Sequence, residues 1–377
     1  MLRPLSKFPL RHKRVLLRVD FNVPIQRGRV RDDFRIRQTL PTIRELLRKR
    51  NSIVVLAHHS NQRQTLAPVA LHLAKLLKKP VSFLRNPFRK SQFAHHDRLQ
   101  VVLLENLRFW PGEESSSLRF ARRLSRLGDV FVNDAFGVAH RRAASVSVLP
   151  HLLPSRLGFL FERELKAFDR VLLRPKRPLV AIFGGAKIDT KISILRQFSR
   201  LADSILVGGA IANVLFGVRK RGVSRRTAFG RAVNAVSRAR NIVLPVDAVV
   251  AAPGARRTPA IRPIGALEKG EVMYDIGPKS QRLFRDALSQ ARTVVWNGPV
   301  GVVEVKAFSR GTLALAKVLV RSRADVHLGG GDTIAFLDRS GLTHKFRHIS
   351  TGGGAMLAYL AGEKLPALEA LRRSQRN

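Results

Sequence analysis

Two lysines, Lys187 and Lys191, stand one helical turn apart behind the paired glycines Gly184 and Gly185, in the stretch FGGAKIDTKIS that follows the apolar run LVAI. Glycines after a strand let backbone N–H groups approach an anion closely, and a helix N-terminus adds a favourable dipole. The spacing is not G-x-x-x-x-G-K-[ST], so this is not the usual phosphate loop. A second group of cations, Arg18, Arg35, Arg108 and Arg141, falls near the ends of other apolar runs, in RVDFNVP, DDFRIR, ENLRF and NDAFGVAHR. The planar fork of arginine binds phosphate and carboxylate bidentately. The first group suits nucleotide phosphates and the second a small, multiply charged anion. Two anion sites in one chain suggest group transfer across a cleft. Taken singly, each feature has a structural explanation. The lysines could be a solvated helix face, a lone GGG a turn, and Asp20 and Asn22 turn residues. No Cys or acidic cluster stands beside His58 and His59, which argues against a metal site there.

The elements that must hold these groups follow from short apolar runs alternating with helical patterns. Strands are expected at Val15–Val19, Ile53–Ala57, Val101–Glu105, Val130–Asn133, Leu179–Phe183, Ser204–Gly208, Val294–Asn297 and Asp325–Gly329. Amphipathic stretches such as LAPVALHLAKLLKK lie between them. Alternation of this kind predicts an α/β fold with parallel sheets flanked by helices, and ligands outside the carboxyl ends of the strands. The two halves differ at those ends. The first runs into polar and cationic groups, the second into glycine: FGGAK, VGGAIAN, WNGPVG, LGGGDT, STGGGA.

Composition bounds the function. The chain has 377 residues, 45% of them hydrophobic, enough for two domains with real cores. Zero cysteines exclude disulfides and thiolate metal sites and fit a reducing cytoplasm. No apolar run is long enough to span a bilayer. The N-terminus, MLRPLSKFPLRHKRV, lacks acids but has few Ser, and is read as part of the fold rather than as a targeting segment. Lys and Arg number 69 against 26 acids, a formal +43, which attracts nucleic acid, anionic membranes or phosphorylated substrates.

Nine motifs then occur in order along nearly the whole chain: RVDFNVP (Arg18–Pro24), LENLRF (Leu104–Phe109), VNDAFG with AHR (Val132–Arg141), GGAKIDTKI (Gly184–Ile192), LPVD (Leu244–Asp247), DIGP (Asp275–Pro278), VWNGPVGVVE (Val295–Glu304), GGGDT (Gly329–Thr333) and STGGGA (Ser350–Ala355). Together they resemble phosphoglycerate kinase. The resemblance implies two Rossmann-like domains joined by a hinge near Leu153–Leu165, with a contribution from Thr351–Gly354. Residues 1–155 would bind 3-phosphoglycerate or 1,3-bisphosphoglycerate, residues 156–350 Mg-ADP or Mg-ATP, and residues 351–377 would return to the first domain. Carried over, Asp20, Asn22, Arg35, His58, Arg108 and Arg141 would hold the phosphoglycerate. Lys187 and Lys191 would contact the transferring group and the nucleotide phosphates, with Arg35 also on the transferred group. Asp332 would ligate Mg²⁺. Asn297 and the backbone of Gly329, Gly330, Gly331, Thr333, Gly352 and Gly353 would approach phosphates, Glu304 the ribose, and Gly208 and Gly209 the adenine. The resemblance also implies a monomeric, cytoplasmic enzyme of glycolysis.

The chain departs from the family's S-H-x-G-R-P at AHHSNQRQT, Ala57–Thr65. His58 aligns, but Asn61 falls where an arginine is expected, and Arg63 is the nearby substitute. The segment after VGGAIAN is abbreviated. Two other readings stay open. One is a different carboxylate kinase. The other is an RNA-associated protein on a kinase scaffold, although the chain holds two Trp and two Tyr for base stacking and no recognition module. Non-specific, salt-sensitive nucleic-acid binding is expected of the charge alone.

Overall fold

The computed structural model describes residues 2–88, 101–186, 188–221, 226–252, 259–268 and 270–374. The chain divides into two compact units, Met1–Lys166 with Lys364–Asn377, and Ala167–Glu363.

In the first unit, strand β1 (Arg14–Arg18) leads to helix α1 (Phe34–Arg48), β2 (Ser52–Leu56) and α2 (Ala67–Leu77). Then come β3 (Ser82–Leu84), β4 (Val101–Leu104), α3 (Leu118–Ser125), β5 (Val130–Asn133), β6 (Ser155–Leu157) and the start of α4 (Phe159–Leu173). The strands form one parallel sheet in the order β3-β4-β2-β1-β5-β6. Its central strands are apolar on both faces because helices cover both. Val15 and Leu17 pack with Ile36, Ile43 and Leu73 of α1 and α2, while Leu16 between them packs with Phe120 and Leu124 of α3.

The second unit repeats the plan. Strand β7 (Leu179–Phe183) is followed by α5 (Ile192–Leu201), β8 (Ser204–Val207), α6 (Gly209–Arg221), α7 (Ala228–Ser237) and β9 (Ile242–Val243). Three strands, β10 (Asp247–Ala251), β11 (Ala260–Pro263) and β12 (Val272–Ile276), then form a small antiparallel sheet in the order β11-β10-β12. After α8 (Pro278–Ser289) come β13 (Thr293–Asn297), α9 (Arg310–Arg321), β14 (Asp325–Gly329), α10 (Gly331–Arg339), β15 (His348–Ile349) and α11 (Gly353–Leu360). The main sheet is parallel, in the order β9-β8-β7-β13-β14-β15. The last helix, α12 (Pro366–Ser374), belongs to the first unit, where the Ala367 N–H donates to the Ala139 carbonyl at 3.1 Å.

Several of the scarce acids organise backbone. Asp247 accepts from the N–H groups of Lys279 and Ser280 at 3.0 and 2.7 Å and so caps α8. Asp134 accepts from Phe161 N at 3.1 Å in the first turn of α4, and burial pushes its carboxyl up to about 6. Asp275, fully buried, accepts from Gly311 N and Ile276 N, and burial pushes it up to about 7 against those two bonds.

Candidate active site

At the carboxyl end of β1 the chain buries a whole arginine. Arg18 is 2% exposed, and its donors all face protein groups. Nε donates to Ser145 Oγ at 2.8 Å, Nη1 to the Val19 and Leu56 carbonyls, and Nη2 lies 3.2 Å from His58 Nδ1. Glu113, also buried, sits 3.8 Å from Nη2 and accepts from both the N–H and the hydroxyl of Ser145. Because arginine only donates, His58 Nδ1 must accept, leaving the neutral ring's proton on Nε2. Burial, followed by the fields of Arg18, Arg108, Arg141 and Arg35, pulls the His58 pKa well below the usual imidazole value. The ring is neutral at pH 7.

Beside this buried centre opens a cavity of about 260 Å³, lined by Arg18, His58, Arg108, Arg141 and Arg142, with Glu113 and Glu114 on its wall. Arg108 is held by Glu114, Nε to Oε1 at 3.1 Å, and donates to the Ser60 carbonyl at 3.2 Å. Asn22 Oδ1 accepts from Ser60 N at 3.0 Å, so Asn22 and Arg108 grip one residue from its two polar ends. Asn22 N–H in turn donates to Asp20 Oδ1 at 3.2 Å, while Arg35 Nη1 donates to the Asn22 carbonyl at 2.8 Å and stands 3.5 Å from Asp20. The expected phosphoglycerate residues Asp20, Asn22, Arg35, His58, Arg108 and Arg141 therefore gather at one end of the sheet, in two groups joined through Ser60.

The departing loop is pinned by a residue that the sequence reading passed over. Asn106 is fully buried, and its amide donates to the carbonyls of Asn61 and Gln64 at 3.2 and 3.1 Å while its Oδ1 accepts from His59 N at 3.0 Å. His59 is structural too: Nε2 faces the Val23 carbonyl at 3.2 Å and Nδ1 accepts from Asn61 N. In this loop Asn61 Oδ1 is occupied by Arg63 N at 2.9 Å, and Arg63 is exposed and not among the residues that line the cavity. Arg142 is among them, and the sequence reading passed it over as well. Its only signal there is its place beside Arg141.

In the second unit the strand ends close on one another through backbone. Gly184 N donates to the Asn297 carbonyl at 3.1 Å and Gly185 N to the Pro299 carbonyl at 2.8 Å. Gly298 has φ +92°, and a Cβ there would overlap the Gly184 carbonyl and come within 2.5 Å of Lys191 Nζ. Gly330, φ +103°, opens α10, and a Cβ on Gly353 would meet its Cα at 2.8 Å. Gly209, φ +61°, packs the same way against Gly185. These positions need glycine because only glycine takes the left-handed backbone cheaply and lets two chains touch.

Into this backbone nest project few side chains. Lys191 is buried, with Nζ donating to the Gly184 carbonyl; burial lowers its pKa to about 8, with Asp332 pulling it back up. Asp332 lies exposed in the first turn of α10. Among the described residues the amide nitrogen of Asn297, 3% exposed, has no partner, and the fully buried Thr333 hydroxyl has none either. Gly329, Gly331, Gly352 and Gly208 sit at neighbouring strand ends, and Glu304 is exposed in the segment after β13. Lys187 lies outside the described residues.

A phosphoglycerate kinase family model matches residues 5–363. Among curated relatives, the phosphoglycerate kinases of Pelotomaculum thermopropionicum and Rubrobacter xylanophilus are each 41% identical, over 95% of this chain and 96% of the first, and 98% of this chain and of the second. Solved structures agree. A phosphoglycerate kinase from Coxiella burnetii superposes with a TM-score of 0.83 at 34% identity, covering 99% of each chain. One from Pyrococcus horikoshii OT3 gives 0.87 at 31% identity, covering 100% of each.

Proposed function

Because the chain belongs to the phosphoglycerate kinase family, its reaction is reversible phosphoryl transfer between 1,3-bisphosphoglycerate and ADP, giving 3-phosphoglycerate and ATP, and we propose how its own residues perform it. The observation that carries the assignment is the cavity of the first unit, where arginines surround a neutral histidine. Such a site suits an anion, and its two carboxylates, Glu113 and Glu114, are engaged by Arg18 and Arg108 rather than free to act as a base. None is needed, since in the ATP-consuming direction the attacking group is a carboxylate, already ionised at neutral pH. Phosphoryl transfer is mostly positioning and charge stabilisation.

In this reading Arg35, Lys187 and Lys191 place positive charge on the transferring group. Asp20 and Asn22 hold Arg35 in place, and His58 Nε2–H, Arg108 and Arg141 hold the phosphoglycerate. The free Asn297 amide donates to a nucleotide phosphate oxygen, as do backbone N–H groups of Gly329–Thr333 and of Gly352–Gly353 at the starts of α10 and α11. Gly208 and Gly209 lie against the adenine, and Glu304 takes the ribose hydroxyls. Mg²⁺ keeps several waters and uses one or two carboxylates plus substrate phosphates, so a lone exposed Asp332 at the mouth of the nest suits it. Held there by Asp332 and the nucleotide, it supplies positive charge against the phosphate oxygens. In-line transfer requires the two substrates to be brought together, which we assign to a hinge motion. A cytoplasmic enzyme fits a chain without cysteine, and we take it to act as a monomer.

The test is transfer from Mg-ATP to 3-phosphoglycerate by purified protein with Lys187→Ala alongside. Turnover that falls by about 10²–10³-fold in the variant supports the assignment; turnover that survives the substitution refutes the role of Lys187.

A second property is supported by one surface. A groove of about 680 Å³ between the ends of α8 and α9 is lined by Arg285, Arg292, Lys317, Arg321 and Arg323, with no acid on its walls and no aromatic side chain. It lies before the first residues of β13 and β14, at the opposite end of those strands from the glycine nest. We assign to it non-specific binding of nucleic-acid backbones, without base readout. Duplex binding should weaken steeply with salt, and replacing Arg292, Arg321 and Arg323 by Gln should flatten the log–log slope by roughly 0.9 per charge. An equal loss of charge among cations of the first unit that flattens it as much would disprove the location.

A further inference from the structure

The cavity of the first unit has a charge count that the expected residues alone do not explain. Four arginines and two glutamates line it, and its histidine is neutral. Arg18 has spent its donors on Ser145, two carbonyls and His58, and Glu113 lies against it in the buried interior. Arg108 is matched by Glu114. Arg141 and Arg142 remain. Both are exposed at the cavity, and among the described residues neither has an ion pair or a side-chain hydrogen bond. They stand on a loop that is fixed at two points: Arg141 N–H donates to the Val138 carbonyl at 2.9 Å, and α12 donates to Ala139 at 3.1 Å. The uncompensated charge of the cavity is thus two units, carried by two arginines consecutive in the chain that line the same cavity.

A phosphate monoester at neutral pH carries between about one and a half and two negative charges. It matches Arg141 and Arg142 together and is under-matched by Arg141 alone. The loop at Asn61 adds no cation to the cavity lining, and Arg63 is exposed and is not among the lining residues. Building on the kinase assignment, we propose that Arg142, with Arg141, binds the non-transferring phosphate of the phosphoglycerate and supplies the cation that the Ala57–Thr65 loop lacks. Glu113 and Glu114 have the complementary part. By neutralising Arg18 and Arg108 they leave a cavity tuned to one dianion.

The phosphate concerned does not react, so it is held equally in the ground and transition states. Losing such a contact raises KM and leaves kcat nearly unchanged. Arg142→Ala should raise the KM for 3-phosphoglycerate roughly 10- to 100-fold, the range of a lost charged hydrogen bond, with the KM for ATP unaltered. Arg142→Lys should recover part of it, and Arg63→Ala should change nothing. Calorimetric titration with 3-phosphoglycerate and with glycerate separates charge recognition from a structural effect, because only the phosphorylated ligand should lose affinity in Arg142→Ala. A wild-type enzyme whose 3-phosphoglycerate KM is untouched by Arg142→Ala, or raised by Arg63→Ala instead, overturns the inference and leaves the kinase assignment standing. A wild-type protein with no turnover would instead defeat that assignment.

Discussion

In the first unit the proposed anion site is made of side chains: a buried Arg18, Arg108 braced by Glu114, and exposed Arg141 and Arg142 on a loop held by α12. In the second it is made of backbone, with Gly184, Gly298, Gly330 and Gly353 so close that a single Cβ would displace a neighbour. The difference has consequences for how each can change. A side-chain site is a sum of contacts, and one cation can stand in for another on the wall, which is the part proposed above for Arg142. A backbone site is a closed packing problem, and its touching glycines, Gly184, Gly298 and Gly353, cannot gain a side chain without moving a neighbour. The first should lose affinity in steps, the second all at once.

The sharpest break of that contrast is Gly298→Ala. The new Cβ overlaps the Gly184 carbonyl and reaches Lys191 Nζ at 2.5 Å, and φ +92° is strained for any residue but glycine. Strain of about 1–3 kcal/mol comes on top of the steric displacement of the nest. That strain alone is worth roughly 5- to 150-fold; with the displaced nest added, we expect ADP affinity to fall by about 100-fold, while calorimetric titration with 3-phosphoglycerate stays as in the wild type. An ordinary ADP isotherm in Gly298→Ala would mean that the loops are looser than their packing indicates. Arg142→Ala is the matching break in the first unit, with a smaller effect confined to the other substrate.

The same contrast decides what could be read in the sequence. The eight strands expected from apolar runs are the four central strands of each parallel sheet, where burial on both faces writes a continuous hydrophobic signal. The strands passed over, β3, β6, β9 and β15, are the sheet edges, only two or three residues long, too short to write a period in the sequence. The antiparallel β10–β12 sheet was passed over too; β11 holds exposed Ile261 and ends at Pro263, so it carries no core pattern. Strand-end glycines were legible as a group, but as phosphate loops. That Gly184, Gly298 and Gly353 are also glycine because other backbone lies against them is a tertiary fact with no local trace. Arg142 and Asn106 were illegible for the same reason. Arg142 follows one motif and Asn106 sits inside another without a role of its own, until the fold shows one lining the cavity and the other holding His59–Gln64.

One cation crosses the division, and it offers the finest test. Lys191 is a side chain inside the backbone site, bonded to the Gly184 carbonyl and lowered by burial to about 8. Its charged form attracts nucleotide phosphates, and bound phosphates stabilise that form, so the pKa must be higher in the complex than in the free protein. Below pH 7 the lysine is protonated in both states and binding is insensitive to it. Above about 8 the free protein has lost the proton that the complex retains. Binding then takes up a proton, and ADP affinity should decline with pH by up to about tenfold per unit. The nucleotide phosphates are already fully ionised there and add no slope of their own. Titrations between pH 7 and 9.5, in buffers of different ionisation enthalpy, would count the proton directly. Lys191→Met keeps an apolar stem in the buried slot and removes the charge; it should bind ADP more weakly at pH 7 and show a flat profile. If the slope persists in Lys191→Met, the titrating group is elsewhere, and the nucleotide site rests on backbone even more completely than its geometry implies.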